Sequence, residues 1–192
     1  MNNITIIPIK NLPEFAPKHD LADEIIKSFS SNNFVLEDKD VIVITQKIVS
    51  KVEDRLIKND NESIEKLIQQ ESLEILRKRG DTVIARTKHG FICANAGIDK
   101  SNIEKGSVLL LPEDPDKTCR DIRKKIEHLI NKKISIIISD TFGRAWRKGQ
   151  TNVAIGSSGI EPLESYIGKK DAFDNELFAT EIAIIDELAG AA

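Results

Sequence analysis

Residues 134–150 have the sequence ISIIISDTFGRAWRKGQ, in which an apolar run passes directly into a polar and basic one. The apolar part, Ile134 to Ile138, is typical of a strand that is covered on both faces of a sheet. The polar part opens with the carboxylate of Asp140 and the hydroxyl of Thr141, and Gly143 permits a turn. We therefore predict that a buried strand ends here and that a chemical site lies at its carboxyl end.

The polar part of this stretch offers ligands for a metal ion and for an anion. Asp140 and Thr141 carry hard oxygen ligands of the kind that Mg²⁺ and Mn²⁺ favour, although a helix cap or an Asx turn would use the same residues. Arg144 and Arg147 can each grip phosphate oxygens at two points, and Lys148 adds a point charge. A solvated basic loop is the structural alternative for these three cations.

A second polar segment, NAGIDKSN at residues 95–102, supplies another carboxylate, Asp99. Gly97 permits a tight turn before it, and Ser101 and Asn102 follow with groups that can bind a metal or a phosphate. Turn chemistry alone accounts for these residue types equally well. Asp99 is therefore a second candidate ligand, still separated from Asp140 by an unknown distance.

The rest of the chain mixes strand and helix patterns without strict alternation, which predicts a mixed α/β (α+β) class. We expect further strands at residues 4–9, 41–44, 82–86 and 107–111. We expect helices after Asp20, over residues 61–79 and 117–132, and from about Thr180. Asp20 and Asp116 are the predicted N-caps of the first and third helices, and Gly80 is the predicted C-cap of the second.

Composition excludes several classes of protein. The 192 residues include 28 Lys and Arg against 31 Asp and Glu, and this net charge of −3 does not favour binding to nucleic acid or to a membrane surface. Cys93 and Cys119 form no CxxC pair, so we expect reduced, buried thiols rather than a thiolate zinc site. The sequence has no P-loop motif and no GxGxxG motif, so it predicts neither a P-loop nucleotide site nor a Rossmann dinucleotide site. Residues 1–10 lack a signal-peptide pattern and no apolar run could span a membrane, so we expect a cytoplasmic protein.

Six short segments stand out along the chain: TQKIVSK (45–51), HGFICANAGIDKSN (89–102), LLPEDPD (110–116), SDTFGR (139–144), GQTNVAIG (149–156) and DELA (186–189). In this order they resemble the motifs of the coenzyme F420-0:L-glutamate ligase family, also called F420:gamma-glutamyl ligase. One such motif would be weak evidence, whereas six in the same order are specific. The resemblance extends from Ile4 to Ala192.

This resemblance implies a two-part α/β fold, an intertwined homodimer and a specific reaction. Members of the family use GTP and a divalent metal to add L-glutamate to coenzyme F420-0 through an acyl phosphate. The products, F420-1 and F420-2, belong to coenzyme F420 biosynthesis. The implied cofactors are Mg²⁺ or Mn²⁺, with K⁺ as a further candidate, and GTP is a co-substrate.

The resemblance also assigns roles to individual residues of this chain. It implies that Asp99, Asp140 and Thr141 are metal ligands. It implies contacts with GTP for Leu12, Pro13, Glu14, Phe15, Thr45, Gln46, Lys51 and Asn102. Our own inference is that Arg144 and Arg147 stabilise the transferring phosphoryl group or the phosphodiester of F420-0. The residue that deprotonates glutamate stays open, with His89 as a candidate.

One departure from the family concerns the C-terminus. Family members usually continue through a glycine-rich segment and a strand that complete the nucleotide and metal site. We therefore expect the ligase domain at residues 1–192 to be C-terminally incomplete. An inactive fragment or an F420- or nucleotide-binding remnant is then one alternative function. The residues alone, without the resemblance, also allow a metal-dependent phosphohydrolase.

Overall fold

The computed structural model describes residues 3–58 and 63–192. Within these ranges the helices are α1 (Leu21–Ser31), α2 (Gln46–Val52), α3 (Ile64–Gln70), α4 (Pro115–Ile130) and α5 (Ile184–Ala191). The strands are β1 (Val41–Thr45), β2 (Leu56–Lys58), β3 (Ser72–Arg79), β4 (Thr82–Thr87), β5 (Ile92–Ala94), β6 (Ser107–Leu109), β7 (Ser135–Arg144), β8 (Arg147–Ser158), β9 (Glu164–Ser165) and β10 (Glu181–Ile182). The predicted mixed α/β class is confirmed.

The main sheet has the order β1-β7-β8, with β1 parallel and β8 antiparallel to β7. Ile136, Ile137 and Ile138 of β7 are fully buried, as their uninterrupted apolar run predicts. Side chains from α1, α4, β1 and β7 form one hydrophobic core.

The predicted cap of α1 is confirmed, since the Asp20 carboxylate accepts a hydrogen bond from the backbone N–H of Asp23. β1 confirms the strand predicted at residues 41–44, but it is the edge strand and its first three residues are only half-buried.

A second, smaller part of the chain is built on the antiparallel sheet β3-β4-β5. A small core lies there, made by Ile68, Val83, Ala85 and Ala96. Strands β2 and β6 pair with each other and flank this part in the sequence, because β2 precedes β3 and β6 follows β5. Strands β9 and β10, which follow β8, form a separate pair. In the ranges that the structure describes, no helix combines the length and apolarity needed to cross a bilayer.

The helix predicted over residues 61–79 is wrong for most of its length. Residues 61 and 62 lie outside the described ranges, α3 ends at Gln70, and β3 follows from Ser72 to Arg79. The backbone of β3 forms an antiparallel ladder with β4, and this tertiary pairing overrides a helical spacing of apolar residues. Gly80, the predicted helix cap, lies instead in the tight turn of the β3-β4 hairpin with a φ of +57°.

Three other predicted elements differ from the structure. Residues 4–9 form no strand, because no described strand pairs with them, and Ile4 is 84% exposed. Helix α4 is capped by Asp114 rather than Asp116, and it begins at Pro115, which needs no N–H partner in the first turn. The last helix begins at Ile184 rather than near Thr180, because β10 precedes it.

Strand β7 continues beyond the predicted strand end at Ile138. It runs on through Asp140 and Gly143 to Arg144, and β8 pairs with it along this whole length. The predicted turn at Gly143 is therefore wrong, and the chain reverses at Ala145 and Trp146. As a result, the polar half of the 134–150 stretch forms a long hairpin instead of a compact loop.

Candidate functional site

The two carboxylates singled out in the sequence come together at the carboxyl end of the parallel strand pair. Asp140 lies on β7, one residue past the end of the pairing with β1, whose last residue, Thr45, pairs with Ser139. Asp99 follows the 3₁₀ turn Asn95–Gly97 and exchanges two backbone hydrogen bonds with Leu109, each 2.9 Å long. The parallel pairing thus brings the residues that follow β1 and those of β7 to one edge of the sheet.

The turn before Asp99 depends on Gly97. Its φ is +75°, and a Cβ at this position would stand 2.6 Å from Cδ1 of Leu111. Asn95 and Ala96 also have positive φ angles, so the chain reverses sharply just before the carboxylate. The tight turn predicted from the sequence is confirmed, and it is what aims Asp99 at the main sheet.

Lys47 holds the Asp99 carboxylate. Its Nζ lies 2.8 Å from Oδ2 of Asp99, and the backbone N–H of Ser101 donates to Oδ1 at 2.8 Å. Burial works against the charged form of Asp99, but the Lys47 ammonium and the Ser101 amide outweigh it and lower the pKa of the carboxyl. Asp99 is therefore ionised at neutral pH and fixed in orientation from two sides.

Asp140 has the opposite electrostatic character. Burial, with a smaller contribution from the negative charge of Asp99, raises its pKa to about 6, and the backbone N–H of Thr141 and the side chains of Lys47 and Gln46 act in the other direction. Two carboxylates that repel each other across a partly buried site favour a cation between them. The pair thus has the charge and the hard oxygen atoms that Mg²⁺ or Mn²⁺ requires.

A metal ion here would need ligands beyond these two side chains. The described residues contain no group of three or more His, Cys, Asp or Glu side chains that could hold an ion. Mg²⁺ in particular is often bound through one or two carboxylates, with water and substrate phosphates completing its coordination. The Asp99 and Asp140 carboxylates therefore fit a metal ion that arrives with a phosphate substrate.

Thr141 is less directly placed for the predicted role of metal ligand. It follows Asp140 on β7 and lines the same cavity, but its hydroxyl already has a partner. That hydroxyl donates to Oδ1 of Asn152, its neighbour on β8, at 2.9 Å. The role of Thr141 as a metal ligand stays a prediction.

Two adjoining cavities collect most of the residues predicted to contact GTP. The first, of about 360 Å³, is lined largely by apolar side chains of α1 and β1, and its wall includes Leu12, Phe15, Thr45, Asp140 and Thr141. The second, of about 400 Å³, is lined in part by Glu14, Phe15, Lys51 and Asn102. Phe15 is common to both walls. Pro13 and Gln46 are not among the lining residues, and Gln46 is fully buried.

The cavity around Lys51 has a mixed charge. The Lys51 ammonium pairs with the exposed carboxylate of Glu14, which is brought from the turn before α1. This pairing lowers the pKa of Glu14. An incoming anion would compete with Glu14 for Lys51, so this lysine is available for a phosphate only if the ion pair opens.

The structure does not bring Arg144 and Arg147 to the two carboxylates. Both lie at the exposed tip of the β7-β8 hairpin, where the Arg144 guanidinium donates to the backbone carbonyl of Lys148 at 2.7 Å. Arg144 is four residues beyond Asp140 on an extended strand, hence about 13 Å away along it. The anion site expected beside the metal site does not form within this chain.

The His89 ring makes structural hydrogen bonds to the backbone before α4. Its Nε2 lies 2.8 Å from the carbonyl oxygen of Pro112 and 3.1 Å from that of Glu113, so this nitrogen carries a proton and donates. The other ring nitrogen, Nδ1, is buried and has no hydrogen-bond partner among the described residues. His89 therefore secures the loop before α4, and neither nitrogen is open to a substrate.

Sequence reasoning missed the importance of Lys47 and the orientation of Gln46. Both lie in the TQKIVSK segment, for which the resemblance implies contacts with GTP at Thr45, Gln46 and Lys51 but no role for Lys47. The signal was present, because two apolar runs, at residues 41–44 and 134–138, are each followed at once by polar residues. Parallel pairing of two such strands places their following residues together.

A family model described as F420-0:Gamma-glutamyl ligase matches residues 10–192. The chain belongs to this family. A protein of Methanococcus maripaludis named coenzyme F420:L-glutamate ligase is 44% identical over 178 residues, covering 84% of this chain and 71% of that protein. A protein of the same name from Methanocaldococcus jannaschii is 43% identical over 176 residues, covering 83% of this chain and 70% of the relative. The gamma-glutamyl ligase resemblance noted in the sequence is confirmed.

Proposed function

We propose that this chain is a GTP- and divalent-metal-dependent ligase that adds L-glutamate to coenzyme F420-0. Membership of the gamma-glutamyl ligase family and the names of its relatives support ligation of glutamate in coenzyme F420 biosynthesis. The dependence on GTP and on Mg²⁺ or Mn²⁺, with K⁺ as a further candidate, goes beyond those names. It is supported by the residues of the site.

One observation carries the proposal more than any other. Asp99 and Asp140, which come from separate parts of the chain, lie close enough to raise the pKa of Asp140, and Lys47 lies beside both. Two carboxylates and one lysine, with Asp140 in the wall of the first cavity, suit a triphosphate that binds with a divalent cation. A purely structural pair would not need to keep one carboxylate destabilised by the other.

The proposed reaction has two steps. A terminal carboxylate oxygen of F420-0 attacks the γ-phosphorus of GTP, the bond to the bridging oxygen breaks, and GDP leaves. The amino group of glutamate then attacks the acyl carbon, loses a proton, and inorganic phosphate leaves as the amide forms. Repetition with a second glutamate converts F420-1 to F420-2. A bound Mg²⁺ or Mn²⁺ would offset the negative charge that gathers on the phosphates.

The residues of the chain would contribute mostly position and charge. Lys47 would compensate the charge of Asp99 until a cation arrives, and Lys51 and Asn102 would contact the nucleotide from the second cavity. Phosphoryl transfer needs little covalent chemistry from the protein, so a nucleophilic side chain is not required. This agrees with a site made of carboxylates, lysines and apolar walls.

The proposed homodimer is supported by two ribbons that extend into solvent. The β7-β8 tip exposes 95% of Trp146, and residues 160–182, folded back through the β9-β10 pair, expose 85% of Phe173 and 77% of Phe178. A two-stranded ribbon is marginally stable by itself, so a second copy is the proposed cover. We further propose that Arg144 and Arg147 act on phosphate groups bound by that second copy.

We also propose a cytoplasmic location. Cys93 and Cys119 are both buried and free, and burial raises the pKa of the first to about 11 and of the second to about 12. Such thiols are protonated and unreactive, in keeping with a reducing compartment.

The direct test is to incubate the purified chain with F420-0, L-glutamate, GTP and Mn²⁺ and to detect glutamylated products by mass spectrometry. The proposal expects products that disappear when GTP is replaced by GDP, when EDTA is added, or when Asp140→Asn is used. Asp121→Asn, at an exposed position of α4, is the matched control and should retain activity. Release of phosphate from GTP without glutamate would indicate a phosphohydrolase, and binding without turnover would indicate a binding remnant.

A further inference from the structure

Gln46 is a completely buried amide that is only half satisfied. It begins α2, where both it and Ser50, one turn later, are 0% exposed. The Ser50 hydroxyl donates to Oε1 of Gln46 at 2.8 Å. The Nε2 group of Gln46 has no hydrogen-bond partner among the described residues. Buried donors are nearly always hydrogen-bonded, so the retention of an unpaired one in this core needs a reason.

The unsatisfied amide group faces Asp140. Thr45 pairs with Ser139 in the parallel ladder, so Gln46 and Asp140, the next residue of each segment, lie side by side. The Gln46 side chain also lowers the pKa of the Asp140 carboxyl, although its Nε2 has no partner in hydrogen-bond geometry. A rotated amide could still bond to Ser50, whose hydroxyl also accepts, but it would turn Oε1 toward the Asp140 carboxylate, where two acceptors repel each other. Ser50 and Asp140 together thus fix the donor end of Gln46 toward the site.

We propose that Gln46 is a positioning residue that donates a hydrogen bond from Nε2 to one Asp140 oxygen and leaves the other oxygen for the cation. This inference rests on the proposed function, since it needs Asp140 to bind a metal. It concerns only the Gln46 side chain, which has no exposed surface, and the contact of Gln46 with GTP stays a prediction. Groups that orient a metal ligand commonly change metal affinity by about 10- to 100-fold.

The test compares Gln46→Met with the wild-type chain. Methionine has nearly the volume of glutamine but no amide donor. Mn²⁺ affinity is measured without any substrate, from the free-ion electron paramagnetic resonance signal, and folding is checked by circular dichroism and thermal unfolding. We expect Mn²⁺ to bind at least about 10-fold more weakly to Gln46→Met. With substrates present, the KM for Mn²⁺ should rise more than kcat falls.

Two further variants provide a second test and a control. Ser50→Ala retains Gln46 but removes the anchor of Oε1, so it should weaken Mn²⁺ binding in the same direction even if Gln46→Met does not fold. Ser135→Ala removes another buried hydroxyl, one that donates to Gly159 at the far end of β7, and should leave the Mn²⁺ affinity unchanged.

The outcomes separate this inference from the proposed function. A wild-type chain that does not bind Mn²⁺ overturns the proposed metal dependence and the role of Gln46 with it. A wild-type chain that binds Mn²⁺, together with folded Gln46→Met and Ser50→Ala variants of equal affinity, overturns only the role of Gln46. Weaker binding in both variants, with Ser135→Ala unchanged, supports it.

Discussion

Gly156 lies against Pro115 so closely that a Cβ built on the glycine would stand 2.5 Å from the Cβ of the proline. The contact joins strand β8 to the first turn of helix α4. It is reinforced by Asp116, whose carboxylate accepts a hydrogen bond of 2.8 Å from the backbone N–H of Ser157. The glycine in the GQTNVAIG segment is therefore explained by packing between a helix and a strand, without any role in binding phosphate.

Gly156→Ala should destabilise the protein by about 1–3 kcal/mol, because the added methyl group meets backbone atoms that cannot move aside. Urea unfolding followed by circular dichroism measures the change. Gly143→Ala is the matched control in the same sheet, since a Cβ there meets nothing within 4 Å. Equal stability of the two variants would mean that β8 and α4 are not packed as described.

Arg55 connects three segments of the chain. Its Nε donates to the carbonyl oxygen of Leu111 at 2.9 Å, and a guanidinium N–H group donates to Glu71 at 2.8 Å. Arg55 and Glu71 are only 17% and 13% exposed as side chains, so water screens this pair weakly. We expect Arg55→Ala to lower the free energy of unfolding by about 2–3 kcal/mol, measured by urea titration.

A double-mutant cycle separates the ion pair from the other contacts of Arg55. If the pair contributes, Glu71→Gln should be costly alone but much less costly when Arg55→Ala is already present. Lys27→Ala, which removes an exposed pair with Glu24, is the control and should cause no measurable change. Strict additivity of the two substitutions would contradict a direct Arg55–Glu71 interaction.

The buried half of the site could be predicted from the sequence, because apolar runs of Ile and Val have few alternatives to a covered strand. Residues 134–138 are all buried, β7 begins at the second of them, and Asp140 follows at the site. The sharp turn before Asp99 was equally predictable, since Gly97 leaves no room for a side chain. These positions are determined by local sterics and by burial.

The exposed parts could not be predicted in the same way. Ile75 and Leu76 are 42% and 44% exposed, so the apolar residues whose spacing predicted a helix do not form a buried face. Only pairing with β4, a tertiary contact, makes that segment a strand. The orientation of Gln46 depends on Ser50 and on a strand far along the chain, which no local pattern reveals.

The exposed aromatic residues of the second ribbon allow a test of the proposed dimer. Phe173→Ser with Phe178→Ser should shift the protein from dimer to monomer in sedimentation velocity, because the apolar area that a second copy would cover is lost. Val35→Ser changes a side chain that is 73% exposed outside the ribbons and should leave the dimer intact. A wild-type monomer, or a double variant that stays dimeric, would contradict this arrangement.

The electrostatics of Asp140 predict how stability depends on pH in the metal-free protein. Burial and the charge of Asp99 raise its pKa in the folded state to about 6 from an ordinary 3.8, so the ionised carboxyl opposes folding. The penalty is small near pH 3.5, where the folded state is protonated and the unfolded state is mostly protonated, grows between pH 4 and 6, and stays constant above. In EDTA, Asp140→Asn should therefore be more stable than wild type by about 1–3 kcal/mol at pH 7.5 and should lose most of that gain at pH 3.5. Asp121→Asn should show no gain, because Lys117 lowers the pKa of Asp121, and a gain from Asp140→Asn that did not vary with pH would point to packing instead of charge.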